Sequence, residues 1–420
     1  MRTELQCVEN IIPGLELIKF QNIGVQEVLL NKKMLLAFDT GTGKTFTYAL
    51  FVRALLNRNP DKKHIFVIIH DSLDQSLKDI RGLVYAPAMA FSSTMSDLVK
   101  LRKMWSRLSV VIMTYECFRD MDTVLFLYNH LLELESFTID EAHHASNWDV
   151  SDTAFMIRAI TQFIPYVVGL SATPMTSRKN QFYQLLNIID RSLSFRRDEN
   201  FTGKYSSHYL PVNREDYNIK GKYKSTLELV TPQLHQIGDI KGIISRVIKG
   251  TGAVNQVESL IRIVTLRLTE GKSVIIYVNY HDSRRWVEQH LASNNIDFVS
   301  LHGKVTKAED RRKILADFDE RKVNVLVTSV AESLNIDADV VVFYEFTTKV
   351  KQVMGRAHRG LEGKELELVF ILTKDTLEID YFIKYIYNRS LTIQKILRKD
   401  YAEFINIGDQ LKQLDLVSED

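Results

Sequence analysis

The stretch Met34-Leu-Leu-Ala-Phe-Asp-Thr-Gly-Thr-Gly-Lys-Thr45 runs from an apolar segment through a glycine loop into a helical pattern that continues to Asn57. An apolar run without polar alternation predicts a strand buried on both faces, the kind a parallel sheet uses. A glycine loop between such a strand and a helix is the setting in which backbone N–H groups and a helix N-terminus hold phosphate. Lys44 would then lie on the β- and γ-phosphates, and the Thr45 hydroxyl on Mg²⁺. Phe38 stands where that pattern ordinarily has glycine or alanine.

Working outward, more strands of the same type follow: His64-Ile-Phe-Val-Ile-Ile, Val110-Val-Ile-Met, Phe137-Thr-Ile and Tyr166-Val-Val-Gly-Leu. Helical patterns such as Lys44–Asn57 and Leu98–Leu108 separate them. A second set then begins, with Val274-Ile-Ile-Tyr-Val, Phe298-Val-Ser-Leu, Val323-Asn-Val-Leu-Val, Val340-Val-Val-Phe and Leu368-Val-Phe-Ile-Leu. The stretches Ser283–Asn294 and Lys307–Asp319 read as helices between these strands. The expectation is an α/β chain of two tandem domains, each a parallel sheet covered by helices. The domains would span 1–190 and 251–390, with a basic linker or insertion at 191–250 and a closing helix and polar tail at 391–420. In the linker, Lys and Arg number 11 against 6 Asp and Glu, densest at Phe195-Arg-Arg197 and Lys220-Gly-Lys-Tyr-Lys224.

Composition narrows the function classes. Lys and Arg number 54 against 52 Asp and Glu, a net charge of +2, so a nucleic-acid surface would have to be a local stripe. No apolar run approaches the ~20 residues of a membrane span, and Met1–Asn10 has no apolar core of a secretory leader. Cys7 and Cys117 are far apart, without CxxC or histidine neighbours. They read as thiols of a reducing, cytoplasmic setting.

Three further constellations carry chemistry. Asp140-Glu-Ala-His143 follows the strand Phe137-Thr-Ile139, about 95 residues after the phosphate loop. An acidic pair at a strand end supplies a magnesium ligand in Asp140 and a water-orienting group in Glu141. Alone, such a pair is more often an exposed polar loop. His143-His144 has no HExxH or CxxC partner, which argues against zinc. Ser171-Ala-Thr173 follows the next strand. Finally, Gln352-Val-Met-Gly-Arg356-Ala-His-Arg359 places two arginines three residues apart on a helical pattern. Alone this is a solvated basic turn, but beside a phosphate it is the arrangement of an arginine finger.

Taken in order, these residues make the chain similar to the superfamily 2 helicases and translocases over nearly its whole length. Lys19-Phe20-Gln21, with Gln21 lying 23 residues before Lys44, resembles their adenine-reading motif. Thr40–Thr45 resembles motif I, and Asp140–His143 resembles motif II of the DEAH type. Gly169-Leu-Ser171-Ala-Thr173-Pro174 resembles motif III, which couples hydrolysis to movement. Val110–Glu116 resembles motif Ib and Leu301-His302-Gly303 motif IVa. Val325–Ser329, continuing through Asp337, resembles motif V, and Gln352–Arg359 motif VI. Asp140–Asn147, Ser171-Ala-Thr-Pro-Met175 and Gly355-Arg-Ala-His-Arg359 are similar to the wording of the Swi/Snf-like branch and of compact phage-encoded helicases that remodel forks and branched DNA. Asn335 departs from the glycine usual in motif V, and His70-Asp-Ser72 from the wording of motif Ia.

The resemblance implies two RecA-like domains with ATP and Mg²⁺ at their interface. Phe20 and Gln21 would read adenine, while Thr40, Gly41, Thr42, Gly43, Lys44, Thr45 and Asp337 would hold the nucleotide. Thr45 and Asp140 would hold Mg²⁺. Glu141 would orient water, and Gln352, Arg356 and Arg359 would complete the site. His143, Ser171 and Thr173 would couple hydrolysis to movement. Thr114, Tyr115, His302, Gly303 and Thr328 would touch nucleic acid. The expected protein is a monomeric cytoplasmic DNA helicase or translocase acting on single-stranded, forked or branched DNA, with RNA in R-loops as a further substrate. The competing readings are an RNA helicase, the motor subunit of a restriction-type complex, and an inactive nucleic-acid scaffold. Against the last, Lys44, Asp140, Glu141, Arg356 and Arg359 are all present.

Overall fold

The structure, a computed structural model, describes residues 19–39, 42–147, 149–175, 179–193, 206–213, 222–231, 254–305, 308–330, 336–345, 347, 350–357, 365–374, 377–397 and 401–414. Thr40, Gly41, Asn335, His358 and Arg359 fall outside them, as do the side chains of Phe20, Gln352 and Arg356. The chain divides into two compact units, Met1–Tyr217 and Asn218–Asp420.

The first unit is built on a seven-stranded sheet of β1 (Lys33–Phe38), β2 (Lys63–Ile68), β3 (Ala88–Phe91), β4 (Val110–Thr114), β5 (Leu134–Ile139), β6 (Tyr166–Leu170) and β7 (Tyr209–Val212). Its order is β3-β4-β2-β5-β6-β1-β7 and every pairing is parallel. Strands β1, β2, β4, β5 and β6 are buried almost throughout, as their unbroken apolar runs require. Because all strands run the same way, the loops after β5, β6 and β1 emerge side by side at one edge of the sheet, where open α/β sheets bind ligands.

The second unit is a six-stranded sheet of β8 (Lys222–Val230), β9 (Val274–Tyr277), β10 (Val299–Leu301), β11 (Val325–Thr328), β12 (Val340–Phe343) and β13 (Glu365–Thr373). The order is β10-β11-β9-β12-β13-β8, again parallel throughout. Val274, Ile276, Val325, Val327, Val340, Val342, Val369 and Ile371 form one core with Leu260 and Val264 of the helix Val254–Thr269 and Val287 and Leu291 of the helix His281–Ser293. Each such side chain taken from water contributes about 1.5–3 kcal/mol.

The stretch expected as a basic linker contains two edge strands. β7 lies beside β1 of the first sheet, and β8 pairs along nine residues with β13 of the second. Lys222 and Lys224 on β8 explain why it reads as linker, since edge strands are blunted with charge. The described C-terminal part begins within the second expected domain and continues into the expected closing segment. It comprises the helices Leu377–Phe382, Asn388–Leu397 and Ala402–Gln413, with a π-helical turn at Ile383–Tyr387. No helix among the described residues is long and apolar enough to cross a membrane.

Candidate active site

Gly43, at the mouth of the helix Lys44–Arg58, adopts φ +77°, a left-handed conformation that costs an L side chain roughly 1–2 kcal/mol. No side chain caps this helix, whereas Thr94, Asp120 and Ser151 cap the helices Met95–Met104, Met121–Asn129 and Asp152–Thr161. An uncapped first turn keeps its N–H groups available to an anion, which is what a phosphate loop requires. Thr42 Oγ1 donates to Asp39 O at 2.6 Å, and Lys44 Nζ donates to Phe38 O at 3.3 Å. Gln21 Nε2 donates to Thr42 O at 3.1 Å, so the expected adenine reader also braces the loop.

Phe38, the departure from the phosphate-loop pattern, is accommodated by a second glycine. Its ring is fully buried, and a Cβ added at Gly24 would lie 2.7 Å from Phe38 Cζ. Gly24 sits inside the helix Lys19–Asn31, where glycine ordinarily costs about 0.5–1 kcal/mol. That cost is offset by letting the helix lie close over the loop's first residue.

The acidic pair follows β5. Asp140 N–H donates to Val67 O at 2.8 Å, and Glu141 takes φ +45°, a strained conformation for a non-glycine residue. Tyr115 holds this turn, its hydroxyl donating to Asp140 O at 2.7 Å and Glu141 O at 3.2 Å. Burial, and then the neighbouring carboxylates Asp140, Glu141 and Glu116, raise the Tyr115 hydroxyl well above its ordinary value, so it remains a donor.

The loop after β6 joins the other two. Ser171 N–H donates to Leu36 O of β1 at 3.2 Å. Ser171 Oγ lies 3.1 Å from His143 Nδ1 and accepts from Thr173 N–H at 3.2 Å, while His143 Nδ1 lies 3.5 Å from Glu141 Oε2. His143, Ser171 and Thr173 are all buried. Glu141, His143 and Ser171 thus form a connected chain from the acidic pair to the loop between it and the phosphate loop.

The expected nucleic-acid contacts divide differently. Thr114 and Thr328 are fully buried, with the Thr114 hydroxyl 3.7 Å from Cys117 Sγ and Thr328 Oγ1 accepting from Val330 N–H at 3.0 Å. With Tyr115 turned inward as well, these three side chains brace loops and present no surface to a strand. His302 and Gly303 differ. Gly303 is exposed with open space around it, and His302 is half-buried, accepting from Lys304 N–H at 3.3 Å. Burial, with Arg284 nearby, pushes His302 below the ordinary histidine value.

In the second unit, Asp337 N–H donates to Asp319 Oδ1 at 3.3 Å, and the next residue, Ala338, donates its N–H to Ala357 O at 3.0 Å. The Asp337 segment is therefore tied to the end of the helix Val350–Arg356, which carries Gln352 and Arg356. Sequence reading missed Glu345. Almost fully buried, it accepts from Asn279 N–H at 2.6 Å, Tyr280 N–H at 3.3 Å and the Ser283 hydroxyl, fixing the turn after β9. Only its position just beyond β12 could have signalled this.

Residues 4–176 match the family described as type III restriction enzyme, res subunit, and residues 255–360 match the helicase conserved C-terminal domain. Over 130 residues, 29% of this chain and 21% of the relative, it is 30% identical to DEAD-box ATP-dependent RNA helicase 39 of Arabidopsis thaliana. Over 176 residues, 40% of this chain and 11% of the relative, it is 27% identical to the chromatin-remodeling ATPase INO80 of Aspergillus oryzae. The chain thus spans about a fifth and about a tenth of these relatives' lengths. The helicase domain of Pyrococcus furiosus Hef shares the fold at a TM-score of 0.56 and 16% identity, covering 87% of this chain and 97% of that one. With two parallel α/β units, one matching the res-subunit family and the other the helicase conserved C-terminal domain, the chain is built as a helicase-type ATP-hydrolysing enzyme.

Proposed function

We propose that this chain hydrolyses ATP to move along DNA, unwinding or remodelling forks, branched junctions or R-loops. The observation that carries the reading is the set of three adjacent loops after β5, β6 and β1, linked through Glu141, His143, Ser171 and the backbone of Leu36. A change at the strand that leads into the phosphate loop could thereby reach the acidic pair through Ser171 and the close contact of His143 with Glu141.

Bound Mg-ATP would supply the electrophilic γ-phosphate. The loop from Thr40 to Thr45 would cradle its phosphates, Lys44 would neutralise them, and Thr45 and Asp140 would hold the metal. Glu141 would orient the attacking water. Gln352, Arg356 and Arg359 would complete the site from the second unit, with Asp337 beside them. His143, Ser171 and Thr173 would transmit the hydrolysis state. Since Thr114, Tyr115 and Thr328 are buried, the strand would be held by backbone amides around them and by the exposed turn at His302 and Gly303. Contacts of that kind carry little sequence preference and weaken with salt.

DNA is favoured by the wording of Asp140–Asn147 and by the chromatin-remodeling relative; action as a cytoplasmic monomer belongs to the same reading. An RNA track is favoured by the match to a DEAD-box RNA helicase. Measuring ATP turnover with double-stranded DNA, single-stranded DNA and RNA separates the two. DNA stimulation is expected in wild type, and Lys44→Ala and Glu141→Gln should each lower the rate by about 10²–10⁴-fold. Turnover at the wild-type level in both variants would sink the assignment, and stimulation by RNA alone would replace the track.

A further inference from the structure

The helix Val350–Arg356 is held at its two ends by different parts of the second unit. At the C-terminal end, Ala338 N–H donates to Ala357 O at 3.0 Å. In its first turn, Lys351 reaches the C-terminal helix Ala402–Gln413. Lys351 Nζ lies 3.3 Å from Glu403 Oε2, 4.6 Å from the centre of the Tyr401 ring and 5.5 Å from that of Phe404. Glu403 is 8% exposed and Lys351 19%, so solvent screens this contact little.

The helix that receives Lys351 is itself locked in place. Tyr387, the last residue of the π-helical turn, lies so close to Gly408 that a Cβ there would be 1.9 Å from the ring. Tyr387 donates its hydroxyl to Asp409 at 2.7 Å, and Lys412 stands over its ring at 4.6 Å. Phe404 packs edge-on against Phe370 of β13 at 6.3 Å. A rigid path therefore runs from the sheet through the C-terminal helix to Lys351.

We propose that Lys351 is the positioning residue of the arginine helix, and that the C-terminal helix, through Glu403, Tyr401 and Phe404, is the surface against which it is set. Replacing both partners by apolar side chains could fill the space about as well, whereas removing Lys351 alone leaves the Glu403 carboxylate buried without its ion-pair partner. What the charged contact adds is register. A carboxylate on one side and ring faces on the other allow one placement of the ammonium, and so one setting of the helix that carries Gln352 and Arg356. Errors near 1 Å in such placements can cost about 100-fold in rate.

The inference rests on the reading in which Arg356 acts on the nucleotide, so Arg356→Ala is the reference variant. Steady-state ATP hydrolysis by the full chain, with saturating DNA, is measured for Arg356→Ala, Lys351→Met, Lys351→Arg and Glu403→Gln, with thermal melts run in parallel. The expected result is a kcat lowered about 10- to 100-fold in Lys351→Met with KM for ATP close to wild type, together with a lowered melting temperature because Glu403 loses its ion-pair partner. Lys351→Arg, which keeps the charge and can keep the ring contacts but not the compact ammonium, should fall between Lys351→Met and wild type. Should Lys351→Met fail to fold, Glu403→Gln decides by the same split between kcat and KM. Wild-type kcat in Lys351→Met, or in a folded Glu403→Gln, with Arg356→Ala inactive overturns the role of Lys351. Full activity in Arg356→Ala removes the reading beneath it.

Discussion

The two units carry the residues proposed to act on ATP near the ends of similar parallel sheets but hold them in place by different means. In the first, the loops after β5, β6 and β1 hold one another through Tyr115, His143, Ser171 and Gln21, within one unit and largely by side chain to backbone bonds. In the second, the arginine helix depends on a distant part of the chain, since Lys351 is matched by Glu403 some fifty residues on. A set of adjacent loops keeps its shape as long as its sheet does. A helix set against a C-terminal helix can be changed by anything that moves that helix.

The sharpest way to break this contrast is Gly408→Ala. The added methyl cannot coexist with the Tyr387 ring, and overpacking of this kind costs about 1–3 kcal/mol or more. Denaturant unfolding should show the loss, and ATP turnover should fall with it, while the first unit keeps its nucleotide affinity.

The counterpart in the first unit is Gly43→Ala. It imposes roughly 1–2 kcal/mol of backbone strain at φ +77° and displaces Gln21 Nε2, which a Cβ would meet at 2.5 Å. Because the end of a glutamine side chain can move, fold stability should drop modestly while KM for ATP rises. An unchanged KM would show that Gln21 does not brace the loop.

The smallest effects are set by pH, and the two units should respond at opposite ends of the scale. Burial pushes His64, in β2, from an ordinary 6.5 down to about 3. Between those values the unfolded chain takes up a proton that the folded chain refuses. Its stability contribution is therefore full above about pH 6.5 and lost as the pH falls toward 3. Tyr387 is pushed from 10.0 up to about 12, first by its hydrogen bond to Asp409, then by burial. Its contribution is full below about pH 10 and lost as the pH rises through 12. Replacing Tyr387 by Phe should flatten the alkaline melting profile and leave the acid limb unchanged. A profile that keeps its alkaline slope would exclude Tyr387 as the source.

Much of the fold was legible because strands buried on both faces leave unbroken apolar runs, as at Val110–Met113 and Val340–Phe343. β3, β7 and β8 were missed for the same physical reason. They lie at or next to sheet edges, where alternation, short length or lysine replaces the apolar run. The phosphate loop and the acidic pair were legible from glycine and carboxylates at strand ends. The inward turn of Thr114, Tyr115 and Thr328 was not, because whether a hydroxyl faces a ligand or its own loop depends on neighbours distant in sequence.

The sequence by itself determined the two parallel sheets, the glycine loop after β1 and the order of the motifs, because each is written in residues adjacent along the chain. Only the tertiary structure decided that Gly24 makes room for Phe38, that Tyr115 holds the Asp140-Glu141 turn, and that Lys351 is set against Glu403. Each of these is a contact between segments brought together by folding, and no local pattern records which residue will arrive opposite another.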